Sequence, residues 1–207
     1  MPTPRSRRAA RRPAEIVAAA LDLFAEKGFA ATRMEEIAAR AGLSKAALYL
    51  YFPSKSEVFK AAVRETVGVA VAHLETLAAG FEGPSDELLR RVMTEICRTL
   101  AATPAGAIPK IVLSEAGNFP DIAEYYVREV VSRGFGVIEG ILARGRARGE
   151  FAADLGPLAP FAVIAPALTL AMWNHGLGRA VGQPLDPAAY AAEMARILIG
   201  GVAGEGA

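Results

Sequence analysis

Residues 32–51 read TRMEEIAARAGLSKAALYLY, and their punctuation decides the fold. Thr32 stands where an N-cap belongs, with Glu35 three residues later, the Thr-x-x-Glu spacing of a capping box. The spacing predicts a helix over Arg33–Arg40 that buries Met34, Ile37 and Ala38. Gly42 supplies a residue that tolerates positive φ. Leu43 plugs the core behind that turn, and Ser44 caps a short helix over Lys45–Tyr51. Helix, tight turn and short helix make a helix-turn-helix. Its second helix keeps Leu48 inside and offers Ser44, Lys45, Ala46, Ala47, Tyr49 and Tyr51 outward, small and polar groups that fit a major groove. An alanine methyl can meet a thymine methyl, lysine can donate to guanine, and tyrosine hydroxyls can reach phosphate. Arg33 stands beside this surface. The helix N-termini at Thr32 and Ser44 can each receive a phosphate, and Lys55 can clamp the DNA backbone.

Working outward, Ile16, Ala19, Ala20, Leu23 and Phe24 form one apolar stripe, which predicts a first helix from Pro13 to Lys27. Gly28 suits its left-handed stop, and residues 1–10, rich in Arg, Pro and Ala, are expected to be a mobile arm. Pro53 ends the third helix and Ser54 caps a fourth, Lys55–Ala79. Further helices are expected over 86–102, 107–116, 121–148, 158–177 and 187–199, with a kink at Pro166. The chain is 53% hydrophobic and Ala-rich, without sustained period-two alternation. The predicted fold is therefore all-α, about nine helices. A three-helix head over 1–60 is followed by a helical body over 61–207.

The net charge of +1 hides an asymmetry: residues 1–64 hold 12 Lys and Arg against 6 Asp and Glu, and residues 65–207 hold 11 against 16. A basic head on an acidic body points to a polyanionic partner. The single cysteine, Cys97, cannot form an internal disulfide, so a reducing, cytoplasmic setting is expected. No C-x-x-C or histidine cluster suggests a metal or cofactor. Neither a Gly-x-Ser-x-Gly elbow nor a phosphate-binding loop suggests an enzyme. Residues 155–178 carry no charge, a length that could span a membrane. Pro157, Pro160, Pro166, Asn174 and His175 interrupt them, so the segment is read as a helix buried in the core or a dimer interface. The arginines at the N-terminus are not followed by an apolar stretch, so they do not form a secretory signal.

Residues 19–29 (AALDLFAEKGF), Thr32, residues 37–45 (IAARAGLSK) and residues 48–55 (LYLYFPSK) closely resemble the N-terminal domain of the TetR family of bacterial transcriptional regulators. The resemblance implies a phosphate-contacting cap at Thr32, recognition-helix roles for Lys45, Ala46, Ala47, Tyr49 and Tyr51, and a phosphate-binding lysine at Lys55. Many members carry Gly-Thr where this chain has Ala46-Ala47, which removes a hydroxyl contact. Residues 114–121 (SEAGNFPD) resemble a stretch common in multidrug and envelope regulators. The family further implies a homodimer formed through the last two helices, a near-palindromic double-stranded operator and a small-molecule effector. Candidate effector contacts are Phe119, Tyr125, Phe161, Met172, Trp173, Asn174 and His175. The competing functions are a ligand-sensing helical protein that never touches DNA and an activator without derepression. The basic head and intact recognition helix argue against the first, and the resemblance implies repression as the family's usual mode.

Overall fold

The computed structural model describes residues 4–202, with side chains over 12–200. Its described residues form nine helices, four of which contain a short π or 3-10 turn. Helix α1 spans Pro4–Lys27, α2 Met34–Arg40 and α3 Lys45–Tyr49. Helix α4 runs Lys55–Val63, passes through a π-helical turn at Arg64–Gly68 and resumes over Val69–Ala79. Helix α5 is Ser85–Ala102, and α6 opens with a 3-10 turn at Pro104–Gly106 before Ala107–Glu115. Helix α7 joins Pro120–Tyr126 to Ser132–Ala147 through a π turn at Val127–Val131. Helix α8 covers Ala159–Met172, a π turn at Trp173–Leu177 and Gly178–Ala180, and α9 is Pro187–Val202.

The N-terminal expectation changes in one respect. Helix α1 begins at Pro4, so Pro13 lies inside it and residues 4–10 are helical rather than an arm; residues 1–3 lie outside the described part. Gly28 and Gly42 take the left-handed backbone their positions demand, at φ +86° and +66°. Around Gly42 the Leu43 amide donates to Ala38 O at 2.8 Å and the Gly42 amide to Ala39 O at 3.1 Å, a Schellman closure of α2. Helix α8 continues through Pro166; the residue with non-helical backbone is Gly176, at φ −134° and ψ −109°.

Two cores organise the packing. One gathers α1, α2 and α3 with the first half of α4, and it extends to Ile108, Ile111 and Val112 of α6 and Ile122, Tyr126 and Val130 of α7. Its centre is Phe29, whose ring lies 5.2 Å from Phe24, 5.4 Å from Phe59 and 4.8 Å from Phe119. The other core joins α5 to α7, α8 and α9 through Leu88, Val92, Ile138, Val163, Leu170 and Met194. The uncharged segment therefore buries Val163, Ala167 and Leu170 against protein. Among the described residues no single helix is long and apolar enough to cross a membrane.

Candidate nucleic-acid interface and internal cavity

Helix α3 sits on α2 through Leu48, which is buried with Ile37 and Ala38. Ser44 caps it, its hydroxyl accepting from the Ala47 amide at 3.2 Å. That contact fixes the outward face: Ser44, Lys45, Ala46 and Tyr49 are exposed and Ala47 is half-buried. The helix ends at Tyr49, two residues earlier than the sequence predicts, and Leu50 and Tyr51 form the following turn. Leu50 is 86% exposed, which makes it the most solvent-presented apolar side chain of this surface. Sequence reasoning left it out because an apolar residue beside a buried leucine resembles core.

The capping assignment shifts by one residue. Arg33 is the N-cap of α2, and its amide donates to Glu36 Oε2 at 2.8 Å. Thr32 is 1% exposed, and its hydroxyl donates backward to Gly28 O at 2.7 Å. The hydroxyl therefore ties α2 to the end of α1 and faces away from any phosphate.

Lys55 also has a different task from the one expected. Its ammonium donates to Phe29 O at 2.6 Å, Thr32 O at 2.9 Å and Ala30 O at 3.0 Å. It lies 4.4 Å from the centre of the Phe29 ring. All three N–H donors of an ammonium are thus engaged on the α1–α2 turn, and burial pushes its pKa below the ordinary lysine value. Lys55 holds the head together from inside the turn.

The basic residues of the head are largely matched by acids. Arg40 forms a bidentate pair with Glu26, both contacts at 2.9 Å. Lys27 pairs with Glu36, and Lys45 reaches Glu35 at 2.5 Å. The Lys45 hydrogen bond holds the Glu35 carboxyl below its usual range, and Glu35 raises Lys45 in return. These pairs are exposed and individually weak, so a phosphate or guanine can displace them. Arg33 forms no ion pair among the described residues. Glu35, the acid paired with Lys45, is a partner that sequence reasoning missed.

The body contains a cavity of about 340 Å³ between α4, α5, α6, α7 and α8. Val67 and Val71 of α4, Thr99 of α5, Val112 of α6, and Tyr126 and Val130 of α7 face it. Two of the three π turns lie at this wall, contributing Val67 from one and Val127, Val130 and Val131 from the other. A π turn adds a residue to the helical repeat and is often found at functional sites. None of the seven expected effector contacts lines the cavity. Phe119 stacks on Phe29 in the head core. Tyr125 lies under Arg128, Phe161 is exposed and packs its edge on Phe135, and Met172 is exposed. The Trp173 indole donates to Gln183 O at 2.8 Å. The Asn174 amide exchanges hydrogen bonds of 2.9 Å with the Leu185 backbone. His175 Nε2 lies 3.0 Å from Leu100 O. The three polar residues that looked like ligand contacts are thus staples that fix the α8–α9 loop and join α8 to α5.

Cavity and head meet at one corner. Val112, Leu113 and Ala116 of the α6 end form cavity wall. On the same turn Glu115 Oε1 accepts from the Ala30 amide of the head at 3.1 Å. Phe119 stacks on Phe29, and Asp121 pairs with Lys60 at 3.3 Å.

An all-helical chain with a helix-turn-helix head and a hollow helical body has the build of a ligand-sensing regulator. The family profile for bacterial regulatory proteins of the tetR family matches residues 16–62, and that for the tetracyclin repressor-like C-terminal domain matches residues 82–197. The chain belongs to the TetR family. The transcriptional regulator RutR of Escherichia coli K12 is 40% identical over 77 residues, 37% of this chain and 36% of that protein. The transcriptional regulator Mb3439c of Mycobacterium bovis is 33% identical over 127 residues, 60% of each. The chain thus aligns with about a third to three fifths of these relatives' length. Among solved structures, FadR of Bacillus subtilis in complex with stearoyl-CoA superposes with a TM-score of 0.76 at 22% identity, over 90% of this chain and 97% of that one. The SmeT–triclosan complex gives 0.76 at 22%, over 94% and 93%; SmeT is the repressor of a Stenotrophomonas maltophilia efflux pump. At that identity the likeness establishes the fold.

Proposed function

We propose that this chain is a cytoplasmic homodimeric transcriptional repressor that a small molecule releases from a near-palindromic DNA operator. Residues 1–60 read DNA, with α3 in the major groove: Lys45, Tyr49, Tyr51 and Arg33 supply polar contacts, and Ala46, Ala47 and Ser44 allow close approach. Residues 61–207 hold the effector and dimerise through α8 and α9. Phe161, Leu177 and Ile197 support that interface, being 55%, 70% and 59% exposed on helices that would otherwise turn apolar side chains to water. Two α3 helices about 34 Å apart then meet successive major grooves.

The observation that carries the reading is the shared corner of α6 and α7. It is wall to the cavity and clamp to the head, so a molecule that prefers a wider cavity must move the groups that hold Phe29 and Ala30. A hundredfold loss of operator affinity requires about 2.7 kcal/mol of difference in ligand affinity between the two states. The test is binding of the purified protein to duplexes from the gene's own upstream region. Specific binding should exceed that to scrambled duplex and fall steeply with salt. Equal binding to both at low salt would end the repressor reading. Glu115→Ala should shrink the ligand-induced change in operator affinity while leaving ligand affinity almost unaltered; an undiminished change would remove the corner from the mechanism.

A further inference from the structure

The chemistry of the cavity wall defines the class of molecule it accepts. Among the wall's residues only Glu95, Thr99 and Tyr126 carry polar side-chain groups. Glu95 is engaged: both its oxygens accept from Arg98, one at 3.0 Å. The other two hydroxyls are free. Thr66, Thr76, Thr94, Thr103 and Thr169 each donate to the carbonyl four residues back. Thr99 makes no such bond among the described residues, and neither does the hydroxyl of Tyr126 find a partner there. Tyr126 is only 8% exposed, and burial pushes its pKa up, so it stays a neutral donor. Both residues line the cavity, where an unpartnered hydroxyl can offer a bound molecule one hydrogen bond.

Charge adds a second constraint. Ala70, Glu95 and Thr99 also line a neighbouring groove between α1, α4 and α5. Its titratable groups are Asp22, Glu65, His73, Glu95 and Arg98, and its cation Arg98 is already paired with Glu95. The cavity wall itself carries no cation, and Asp22 and Glu65 of the adjoining groove add negative charge beside it.

We infer that the cavity binds a neutral, mostly apolar molecule with one hydroxyl or carbonyl group, held by Tyr126 and Thr99, and rejects carboxylates and phosphate esters. The inference rests on the effector-cavity reading above. The volume lies near the lower end of ordinary small-molecule sites, roughly 300–1,000 Å³, which suits a compact ligand of fused-ring or short-chain type.

The experiment uses the full chain and three molecules of one skeleton, β-naphthol, β-naphthoate and naphthalene, each competing with Nile red at neutral pH. β-Naphthol should displace the dye, with β-naphthoate weaker by about tenfold or more, because an unpaired carboxylate loses its hydration inside the cavity. Tyr126→Phe and Thr99→Val keep the packing and should each weaken β-naphthol by about two- to tenfold, the range of one net hydrogen bond, while leaving naphthalene unchanged. Naphthoate binding as tightly as naphthol, or no response to either variant, would overturn the ligand class while leaving the cavity occupied. Ala123→Leu and Ala116→Leu fill the wall from α7 and from the end of α6. If Nile red fails to bind the wild-type chain, or binds both filled variants as well as wild type, the effector-cavity reading itself falls.

Discussion

The head closes its aromatic rings to contact around Phe29, whereas the body leaves about 340 Å³ open between five helices. The head also satisfies its polar groups: the Thr32 and Ser44 hydroxyls and the Lys55 ammonium each meet backbone partners, and the Arg33 amide meets the Glu36 carboxylate. The body leaves Thr99 and Tyr126 unmatched at the cavity. A reading head must present one rigid surface to DNA, and rigidity follows from full packing and satisfied donors. A sensing body must exist in two arrangements of small energy difference, and a void with unmatched donors provides that.

The contrast can be broken most directly at Phe29. Phe29→Ala should destabilise the chain by about 3–5 kcal/mol, since the fully buried ring leaves a cavity the neighbours cannot fill. Val130→Ala at the cavity wall should cost less than half as much, because part of its surroundings is already empty. Urea unfolding of the two variants decides it; equal costs would mean the body is as tightly packed as the head.

Lys55→Met comes next, with an expected loss of about 1–3 kcal/mol from three carbonyls deprived of a charged donor. Operator binding should weaken only as far as the head unfolds, with the slope of log affinity against log salt unchanged. A slope reduced by about one in a stable variant would show that Lys55 contacts phosphate after all.

A smaller effect is expected at Glu35. Glu35→Gln removes the acid paired with Lys45 and should tighten DNA binding severalfold with a steeper salt dependence. Unchanged binding would show that the pair is already open in solution.

The smallest effect concerns pH. Burial lowers the pKa of His175 from its ordinary 6.5, so the folded chain holds it neutral where the unfolded chain protonates it. Stability is then complete above pH 6.5 and declines as pH falls below that value toward the folded pKa. The carboxylates lowered by hydrogen bonds, Glu75 from Arg133 and Glu150 from Ser85, lose their contribution only below their unfolded value of 4.5. Thermal melts between those two limits should therefore show a slight decline that His175→Gln abolishes; a decline kept by the variant would assign it to another group.

The helix-turn-helix was legible because its signals are local. Gly42 and the Ser44 cap act through contacts three to five residues apart, and the α2 and α3 assignments needed nothing more. The same locality explains the one-residue error at Thr32. A threonine before a helix satisfies the capping pattern whether its hydroxyl turns forward to α2 or back to Gly28, and only the packing of α1 against α2 selects the second. The nine helices likewise follow from caps, breakers and apolar stripes that the chain carries in order. Their π turns do not, since an extra residue in one turn leaves no mark in the composition.

What the sequence by itself determined is the all-α architecture, the family and the position of the helix-turn-helix, all written in short-range periodicity and in motifs of fixed order. The tertiary structure decided the rest. It drew Lys55 into the turn between α1 and α2, gave Lys45 an acid to leave, and turned Trp173, Asn174 and His175 into loop staples. It also placed the cavity elsewhere, because an apolar helix face with Val67 and Val71 looks the same in sequence whether it meets a partner helix or a void. That distinction depends on how far apart the helices stand, a distance set jointly by every residue between them.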